Sequence, residues 1–92
     1  MIKSFKCKDT ENLLNDKEVK RFRSISRKAR IKLEMLNATV SLDGLKVPPG
    51  NRWEALRGER KGQYSIRIDS QWRICFKWEE GNTYDVEIVD YH

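Results

Sequence analysis

The stretch QYSIRIDSQWRICFKWEEGNTYDVEIVDY, residues 63–91, decides the fold, because apolar and polar residues alternate along it. A period of two is typical of β-strands that bury one face. The segment EEGN, residues 79–82, interrupts the alternation and has the composition of a hairpin turn. The stretch therefore predicts an antiparallel meander with one apolar face. That face is predicted to carry Tyr64, Ile66, Ile68, Trp72, Ile74, Phe76, Trp78, Tyr84, Val86 and Ile88.

The opposite face of the predicted meander is rich in cations. It carries Arg67, Arg73 and Lys77, with Glu87 across the sheet. Adjacent like charges on a sheet face cost stability. Two interpretations of this pattern stay open at this point. Either the face is simply solvated, or an anion such as an RNA phosphate relieves the repulsion.

Upstream of the meander, the spacing of the apolar residues becomes that of a helix. Between residues 24 and 37 they recur every three or four positions, which predicts an amphipathic helix with a basic exposed face. A short strand at residues 2–5 and a short helix capped by Asp9 or Thr10 precede it. Helices followed by strands are typical of an α+β domain, in which the helices cover one sheet face. We expect one domain, residues 1–92.

Positive charge is concentrated in the segment 17–32. This segment holds eight lysines and arginines, among them Arg27 and Arg30, and one acidic residue, Glu18. Its net charge is therefore +7, whereas that of the whole chain is +5. A clustered positive segment on a balanced background is typical of proteins that bind a polyanion, although a solvated helix face gives the same pattern.

Composition argues against several classes of protein. No apolar run approaches the ~18 residues of a membrane span, and the lysine-rich N-terminus lacks the apolar core of a signal peptide. We therefore expect a cytoplasmic protein with no membrane partner. Cys7 and Cys75 are far apart, and no second Cys or His is close enough to either to suggest a zinc site. Both are expected to be reduced thiols, and no metal or other cofactor is predicted.

Several motifs of the chain resemble one family of proteins. PPGNR (48–52), LRGER with GQYSIR (56–67), QWRICF (71–76) and the terminal DYH (90–92) look very like the corresponding motifs of the HigB toxins. These toxins form the host-inhibition branch of the RelE superfamily, and the resemblance covers essentially the whole chain. It implies a RelE-like α+β fold, in which N-terminal helices pack on a twisted, mostly antiparallel β-sheet.

The resemblance also implies an activity and partners. RelE-like toxins enter the ribosomal A site and cut messenger RNA there, without a metal ion, by attack of a 2′-hydroxyl on the neighbouring phosphate. HigB toxins pair with a HigA-like antitoxin of helix-turn-helix type, and they reach operator DNA only through it. The alternative on the same scaffold is a ParE-type toxin, which blocks DNA gyrase by binding and cleaves no RNA.

RNA cleavage of this kind requires three kinds of chemical group. A base takes the proton of the 2′-hydroxyl, cations stabilise the phosphorane, and an acid protonates the leaving 5′-oxygen. By resemblance, the terminal motif supplies Asp90, Tyr91 and His92, with His92 as the acid. Arg73 is the expected clamp of the phosphorane, because its planar fork can hold two phosphate oxygens. Tyr91 is expected to stack on a base or to align His92, unless it only packs against Trp53.

Glu54 departs from the pattern of the best-studied members of the family. These have a histidine three residues before the basic residue of LRG, which is Arg57 here. A glutamate can serve as the base if its carboxylate is partly buried. The alternative is a strand residue that only forms an ion pair with Arg57 or Arg73. Asp90 is the second candidate for the base.

Six cations are predicted to contact messenger or ribosomal RNA. Arg57 is the second basic position that the resemblance carries over, and Arg27 and Arg30 lie in the basic segment 17–32. The full set is Arg27, Arg30, Arg57, Arg60, Arg67 and Lys77.

Overall fold

The computed structural model describes residues 1–91, and His92 lies outside the described residues. The helical elements are α1 (Lys8–Leu14), α2 (Ser26–Ala38) and four 3₁₀ turns at Lys20–Ile25, Leu42–Leu45, Pro49–Asn51 and Gly58–Arg60. The strands are β1 (Glu54–Ala55), β2 (Gln63–Arg67), β3 (Trp72–Glu79) and β4 (Asn82–Asp90). They form one antiparallel sheet in the order β1-β2-β3-β4, which confirms the predicted α+β fold.

The core lies between the helices and one face of the sheet, as the two apolar periods require. Its most buried side chains from the two layers include Leu13, Phe22, Ile25, Ala29, Leu33, Leu36, Ile66, Ile74, Phe76, Val86 and Ile88. Phe22 meets Trp72 edge to face, with ring centroids 5.4 Å apart. Burial of one large apolar side chain contributes about 1.5–3 kcal/mol. This packing commits one face of the sheet to the helices.

A bulge in β4 changes the face on which one aromatic residue lies. Between two of the cross-strand pairs, β4 has one residue more than β3, and Asp85 takes a left-handed conformation there (φ 53°). Because side chains alternate with a period of two, the extra residue reverses the alternation. Tyr84 therefore shares the face of its partner Lys77, and its predicted place on the apolar face is wrong. Thr83, which is fully buried, lies on the apolar face instead.

The start of α1 also differs from the prediction. The helix begins at Lys8, with Cys7 in the capping position, so neither Asp9 nor Thr10 caps it. Thr10 contacts β4 instead. It is buried, and its hydroxyl accepts a 3.1 Å hydrogen bond from the Ile88 N–H. The contact with β4 thus replaces the predicted cap.

The segment 2–5 forms two single bridges instead of a regular strand. Ile2 pairs with Thr83 and Phe5 pairs with Val86, both in parallel orientation. The segment therefore lies along the outer edge of β4 and satisfies backbone groups that an open sheet edge would leave unpaired.

The two α-helices are short. α1 has 7 residues and α2 has 13, whereas a helix that spans a bilayer needs about 20. Among the helices of residues 1–91, none has the length and apolar character to cross a membrane. α2 matches the predicted amphipathic helix 24–37 within two residues at each end, because a 3₁₀ turn takes up the predicted start.

Candidate functional site

The face of the sheet opposite the core carries a row of four side chains, of which the two central ones are fully buried. Glu54 pairs with Ser65, Ser65 pairs with Cys75, and Cys75 pairs with Glu87. Residues that pair directly lie on the same face, so these four form one row across the four strands. The row has a carboxylate at each end.

A second row lies beside the first, toward the end of β4. Arg67 pairs with Arg73, and Arg73 pairs with Val89. Two residues beyond Val89 comes Tyr91, whose backbone N–H donates a 2.6 Å hydrogen bond to the Gln71 carbonyl. The guanidinium carbon of Arg73 lies 5.5 Å from the centre of the Tyr91 ring. An arginine thus meets an aromatic face in the middle of the site.

Arg73 is held in a fixed position within this face. Its Nε donates to Ser65 Oγ at 2.8 Å, and one of its Nη atoms donates to the Arg52 carbonyl at 2.5 Å and the Ser65 carbonyl at 3.3 Å. Only 11 % of its side chain is exposed, so at this position the face is not simply solvated. All three acceptors are uncharged, so they orient the guanidinium without cancelling its charge.

Glu54 lies at the rim of the same site. Its Oε1 is 3.9 Å from Arg73 Nε, a long ion pair, and 50 % of its side chain is exposed. The structure thus brings Glu54 and Arg73 together, as one of the two interpretations of Glu54 requires. Arg57 is exposed, and within residues 1–91 its guanidinium forms no hydrogen bond or ion pair. Its charge is therefore available to a ligand.

Two depressions flank Tyr91. The larger has a volume of about 640 Å³ and is lined by Glu54, Ala55, Leu56, Arg57 and Tyr91. The smaller has a volume of about 240 Å³ and is lined by Arg52, Arg67, Asp69, Ser70, Arg73 and Tyr91. Tyr91 lines both, and 44 % of its surface is exposed. Among the described lining residues, Tyr91 is thus the one that the two depressions share.

The surroundings of Tyr91 keep its phenol protonated. Partial burial raises the pKa of Tyr91, and the neighbouring Cys75 and Glu54 raise it further. The positive charges of Arg73 and Arg60 lower the pKa of Tyr91, but by less than the other effects raise it. At neutral pH the phenol can therefore donate a hydrogen bond to a ligand.

Two of the predicted RNA contacts have carboxylate partners within the fold. Arg60 Nη1 donates to Glu87 Oε1 at 2.9 Å, and this hydrogen bond raises the pKa of Arg60. Lys77 Nζ lies 3.3 Å from Asp85 Oδ2. Because these charges are partly balanced, a contact of Arg60 or Lys77 with RNA stays a prediction.

Two residues of α2, Arg27 and Arg30, were predicted to contact RNA. Neither of them lines either depression. Arg30 Nε donates to the Leu13 carbonyl at 3.0 Å and lies 3.2 Å from Asp16 Oδ1, so it ties α2 to the end of α1. Arg27 is exposed, and its side chain has no ion pair or hydrogen bond in the described part of the chain. Of the two, Arg27 is the one whose charge remains open to a partner.

Residues that the sequence did not reveal hold the site in place. Asn51 is fully buried, accepts a hydrogen bond from Lys32 Nζ and donates one of 3.1 Å to the Leu45 carbonyl. It fixes the turn before Arg52, whose backbone is left-handed (φ 41°) and whose carbonyl holds Arg73. In the sequence, the motif PPGNR was the only indication of this turn. The motif does not indicate that the carbonyl of Arg52 binds Arg73.

The terminal motif is described only in part. Asp90 is exposed and accepts a 3.1 Å hydrogen bond from Gln71 Nε2. The predicted acid, His92, lies outside the described residues. Within residues 1–91, no group of three or more His, Cys, Asp or Glu side chains could hold a metal ion.

The two free thiols are expected to differ in reactivity. Burial raises the pKa of Cys75, which is fully enclosed. Partial burial also acts to raise the pKa of Cys7, but hydrogen bonds with Thr10 and the charge of Arg21 outweigh it and lower that pKa. Because the thiolate is the reactive form, iodoacetamide should alkylate Cys7 in the native protein and Cys75 only after unfolding. Peptide mapping by mass spectrometry measures this, and equal labelling in the native protein would contradict it.

Comparison with known sequences identifies relatives of the chain. The model of the family described as "RelE-like toxin of type II toxin-antitoxin system HigB" matches residues 3–92. Toxin HigB-1 of Vibrio cholerae is 48 % identical over 56 residues, which cover 58 % of this chain and 59 % of that protein. Endoribonuclease HigB of Proteus vulgaris is 40 % identical over 37 residues, 40 % of each chain. The chain thus spans about half the length of the curated relatives it matches.

Solved structures share the fold at low sequence identity. A YafQ variant from Escherichia coli has a TM-score of 0.65 at 15 % identity, over 99 % of this chain and 92 % of that chain. The YoeB–YefM complex from Staphylococcus aureus has a TM-score of 0.57 at 17 % identity, over 100 % of this chain and 95 % of that chain. The comparisons lend no support to the ParE-type alternative. Because the family model spans almost the whole chain, the protein belongs to the HigB family of RelE-like toxins of type II toxin-antitoxin systems.

Proposed function

We propose that the protein is a ribosome-dependent endoribonuclease that inhibits translation by cutting messenger RNA. The observation that carries this proposal is the guanidinium of Arg73, which uncharged acceptors orient beside the Glu54 carboxylate and the Tyr91 ring. A fixed cation next to a proton acceptor suits the cleavage of a phosphodiester, whose transition state gains negative charge. The name of the Proteus vulgaris relative, Endoribonuclease HigB, supports the same reaction.

The proposed reaction uses side chains and no metal ion. Glu54, or Asp90 in its place, takes the proton of the 2′-hydroxyl, and the oxygen attacks the neighbouring phosphorus. Arg73 stabilises the charge on the phosphorane oxygens. His92 gives a proton to the 5′-oxygen as its bond to phosphorus breaks, which leaves a 2′,3′-cyclic phosphate and a 5′-hydroxyl. Tyr91 stacks on a base or donates a hydrogen bond.

The small number of catalytic groups is the reason to propose dependence on the ribosome. Acid–base catalysis by one positioned group is typically worth about 10²–10⁴-fold. The ribosome would hold messenger RNA in the A site with its 2′-hydroxyl aligned on the phosphate, and such alignment can lower a barrier by about 7–11 kcal/mol. Free RNA should therefore be cut far more slowly than RNA in translation.

Membership of this family supports an antitoxin as a partner of the protein. We propose that this antitoxin is HigA-like, of helix-turn-helix type, and that the toxin reaches operator DNA only through it. The cytoplasm, where ribosomes translate, is the proposed place of action.

A translation extract with one defined messenger RNA tests the proposed function. Primer extension should reveal breaks within the translated region when the protein is present, and none when initiation is blocked. Intact messenger RNA at a protein concentration that stops translation would contradict the proposal. Inhibition of gyrase supercoiling by the purified protein would favour the ParE-type alternative instead.

Ribosome binding is expected to weaken when Arg27 is replaced by Glu. Arg27 is exposed and unpaired within residues 1–91, so Arg27→Glu should leave the fold intact. If α2 docks on ribosomal RNA, loss of one phosphate contact should make the plot of log affinity against log salt shallower by about 0.7–0.9. Co-sedimentation with ribosomes over a KCl series measures this slope, with Lys3→Glu, at another exposed cation, as the control. Equal slopes for wild type and Arg27→Glu would show that α2 does not contact the ribosome.

A further inference from the structure

We propose that Lys32, on α2, is a positioning residue for Arg73, whose guanidinium is the clamp in the proposed function. This inference rests on the proposed function and deepens it, because it gives a side chain of the helical layer a part in the reaction. Lys32 is not among the described residues that line the two depressions. It acts through the side chain of Asn51 and the backbone carbonyl of Arg52.

Lys32 is a half-buried cation without a carboxylate partner. It lies on α2 next to the buried residues Leu33 and Leu36, so part of its stem is covered. Within residues 1–91 its ammonium forms no ion pair, and its hydrogen-bond acceptor is Asn51 Oδ1. Burial lowers the pKa of Lys32. Because a desolvated ammonium costs stability, packing alone does not account for a lysine at this position.

Asn51 carries the contact from α2 into the turn before β1. Its Oδ1 accepts from Lys32, and its Nδ2 donates to the Leu45 carbonyl at 3.1 Å and to Met35 Sδ at 3.3 Å. Within residues 1–91, the ammonium is the donor that satisfies this fully buried oxygen. A hydrogen bond from a charged donor is roughly twice as strong as one between neutral groups. Lys32 therefore holds Asn51 more firmly than a neutral donor would.

The backbone after Asn51 requires this support. Arg52 has a left-handed conformation (φ 41°), which costs a residue other than glycine about 1–2 kcal/mol. Such a conformation persists where neighbouring contacts hold it. The N–H groups of Asn51 and Arg52 donate to the carbonyls of Pro48 and Pro49 at 3.0 and 3.2 Å, so the two residues belong to one tight turn. Release of the Asn51 side chain is therefore expected to displace the Arg52 carbonyl.

The Arg52 carbonyl anchors the guanidinium of Arg73. It accepts from Nη2 at 2.5 Å, while Ser65 accepts from Nε and Nη2 on the neighbouring strand. The guanidinium is planar, so these contacts together fix the direction of Nη1, which has no hydrogen-bond partner within residues 1–91. Without the Arg52 anchor, the hydrogen bonds left in that part of the chain are those with Ser65. The atom that faces the phosphorane then loses its fixed direction.

The variant Lys32→Met tests this series of contacts, because methionine covers similar apolar surface but cannot donate to Asn51. The saturated single-turnover rate on ribosome-bound messenger RNA should fall by about 100-fold, the loss that a misplacement of about 1 Å can cause. The toxin concentration at half-maximal rate should stay the same. In protein that carries Arg73→Lys, Lys32→Met should cost little more, since residues that act as a unit are not additive. Lys3→Met, at an exposed lysine, is the matched control and should keep the wild-type rate.

Nuclear magnetic resonance of the free protein reports on Arg73 without any cleavage. In isotope-labelled wild type, a guanidinium held at Nη2 should give separate signals for its two Nη nitrogens, and Arg73→Lys identifies these signals by their loss. In Lys32→Met the two signals should merge, because the guanidinium then rotates about its Nε–Cζ bond. Thermal unfolding checks that each variant is folded. Lys32→Gln, whose amide ends one atom short of the lysine ammonium, replaces Lys32→Met if that variant does not fold.

Several results would overturn the role of Lys32. Separate Nη signals in folded Lys32→Met would show that Arg73 keeps its position without the ammonium, and merged signals in the wild type would show that it is not held at all. An unchanged rate, a change confined to the concentration at half-maximal rate, or a full additional loss in the Arg73→Lys protein would show that Lys32 does not act through Arg73. If the wild type cuts no messenger RNA, the proposed function fails, and the signals of Arg73 still decide whether Lys32 holds this guanidinium.

Discussion

An Arg73→Lys variant is expected to cleave ribosome-bound messenger RNA about 100- to 1,000-fold more slowly than the wild type, the usual loss when one oriented donor to the transition state is removed. The guanidinium of Arg73 donates to Ser65 Oγ and to the Arg52 carbonyl and still has donors for phosphate oxygens. The ammonium of lysine is a point charge on a flexible chain, so it cannot keep these contacts and clamp the phosphorane as well. The loss should fall on the chemical step, because many phosphate contacts determine ribosome affinity.

The lysine variant is a better test than Arg73→Ala because the side chain is buried. Removal of the guanidinium would leave Ser65 Oγ and the Arg52 carbonyl without their donor, which costs about 1–3 kcal/mol for each buried group. Cleavage rates from primer extension give the effect, and thermal unfolding shows whether the variant is folded. Lys3→Arg, the reverse exchange at an exposed cation, is the control. A folded Arg73→Lys variant that cuts at the wild-type rate would show that Arg73 is not the clamp.

The alternation of apolar and polar residues predicted the sheet, because only one face of the sheet packs against the helices. Ile66, Ile74 and Phe76 lie in the core as the alternation requires. Tyr84 was placed on the wrong face, because a bulge inserts one extra residue into β4 and reverses the alternation before it. The bulge residue, Asp85, has a left-handed backbone conformation. A glycine at this position would have indicated such a conformation in the sequence, whereas an aspartate does not. The error thus comes from a backbone feature that leaves no mark in the hydrophobic pattern.

The resemblance named candidate residues of the site but not the contacts that hold them. The structure places Arg73 near both Glu54 and Tyr91, and the catalytic roles that the resemblance gives these residues stay predictions. The acceptors that orient Arg73 come from Ser65 on the neighbouring strand and from the carbonyl of Arg52 in a distant turn. Both contacts depend on strand register and on the path of a loop, which no local pattern of residues encodes. Around Arg73 the apolar and polar residues alternate as in a strand with one solvated face. The sequence therefore did not indicate that Arg73 is buried.

A second large effect is expected at His92, whose role as the acid rests on the terminal motif DYH. His92→Gln should slow cleavage by about 100- to 10,000-fold, since a positioned general acid typically contributes this much. Glutamine can form hydrogen bonds, but it cannot give a proton to the leaving 5′-oxygen. Ribosome binding should persist, because one imidazole adds little to an interface dominated by phosphate contacts. Single-turnover cleavage and ribosome co-sedimentation measure the two effects separately.

Substitution of each candidate base serves as the internal comparison for His92→Gln. Glu54 lies 3.9 Å from Arg73 with half its side chain exposed, whereas Asp90 accepts a hydrogen bond from Gln71 Nε2. If Glu54 is the base, Glu54→Gln should lose about as much rate as His92→Gln, and the double variant should lose little more, because groups that act as a unit are not additive. Normal cleavage by Glu54→Gln, together with loss of cleavage in Asp90→Asn, would assign the base to Asp90. A His92→Gln variant that cuts at the wild-type rate would contradict the acid role of His92.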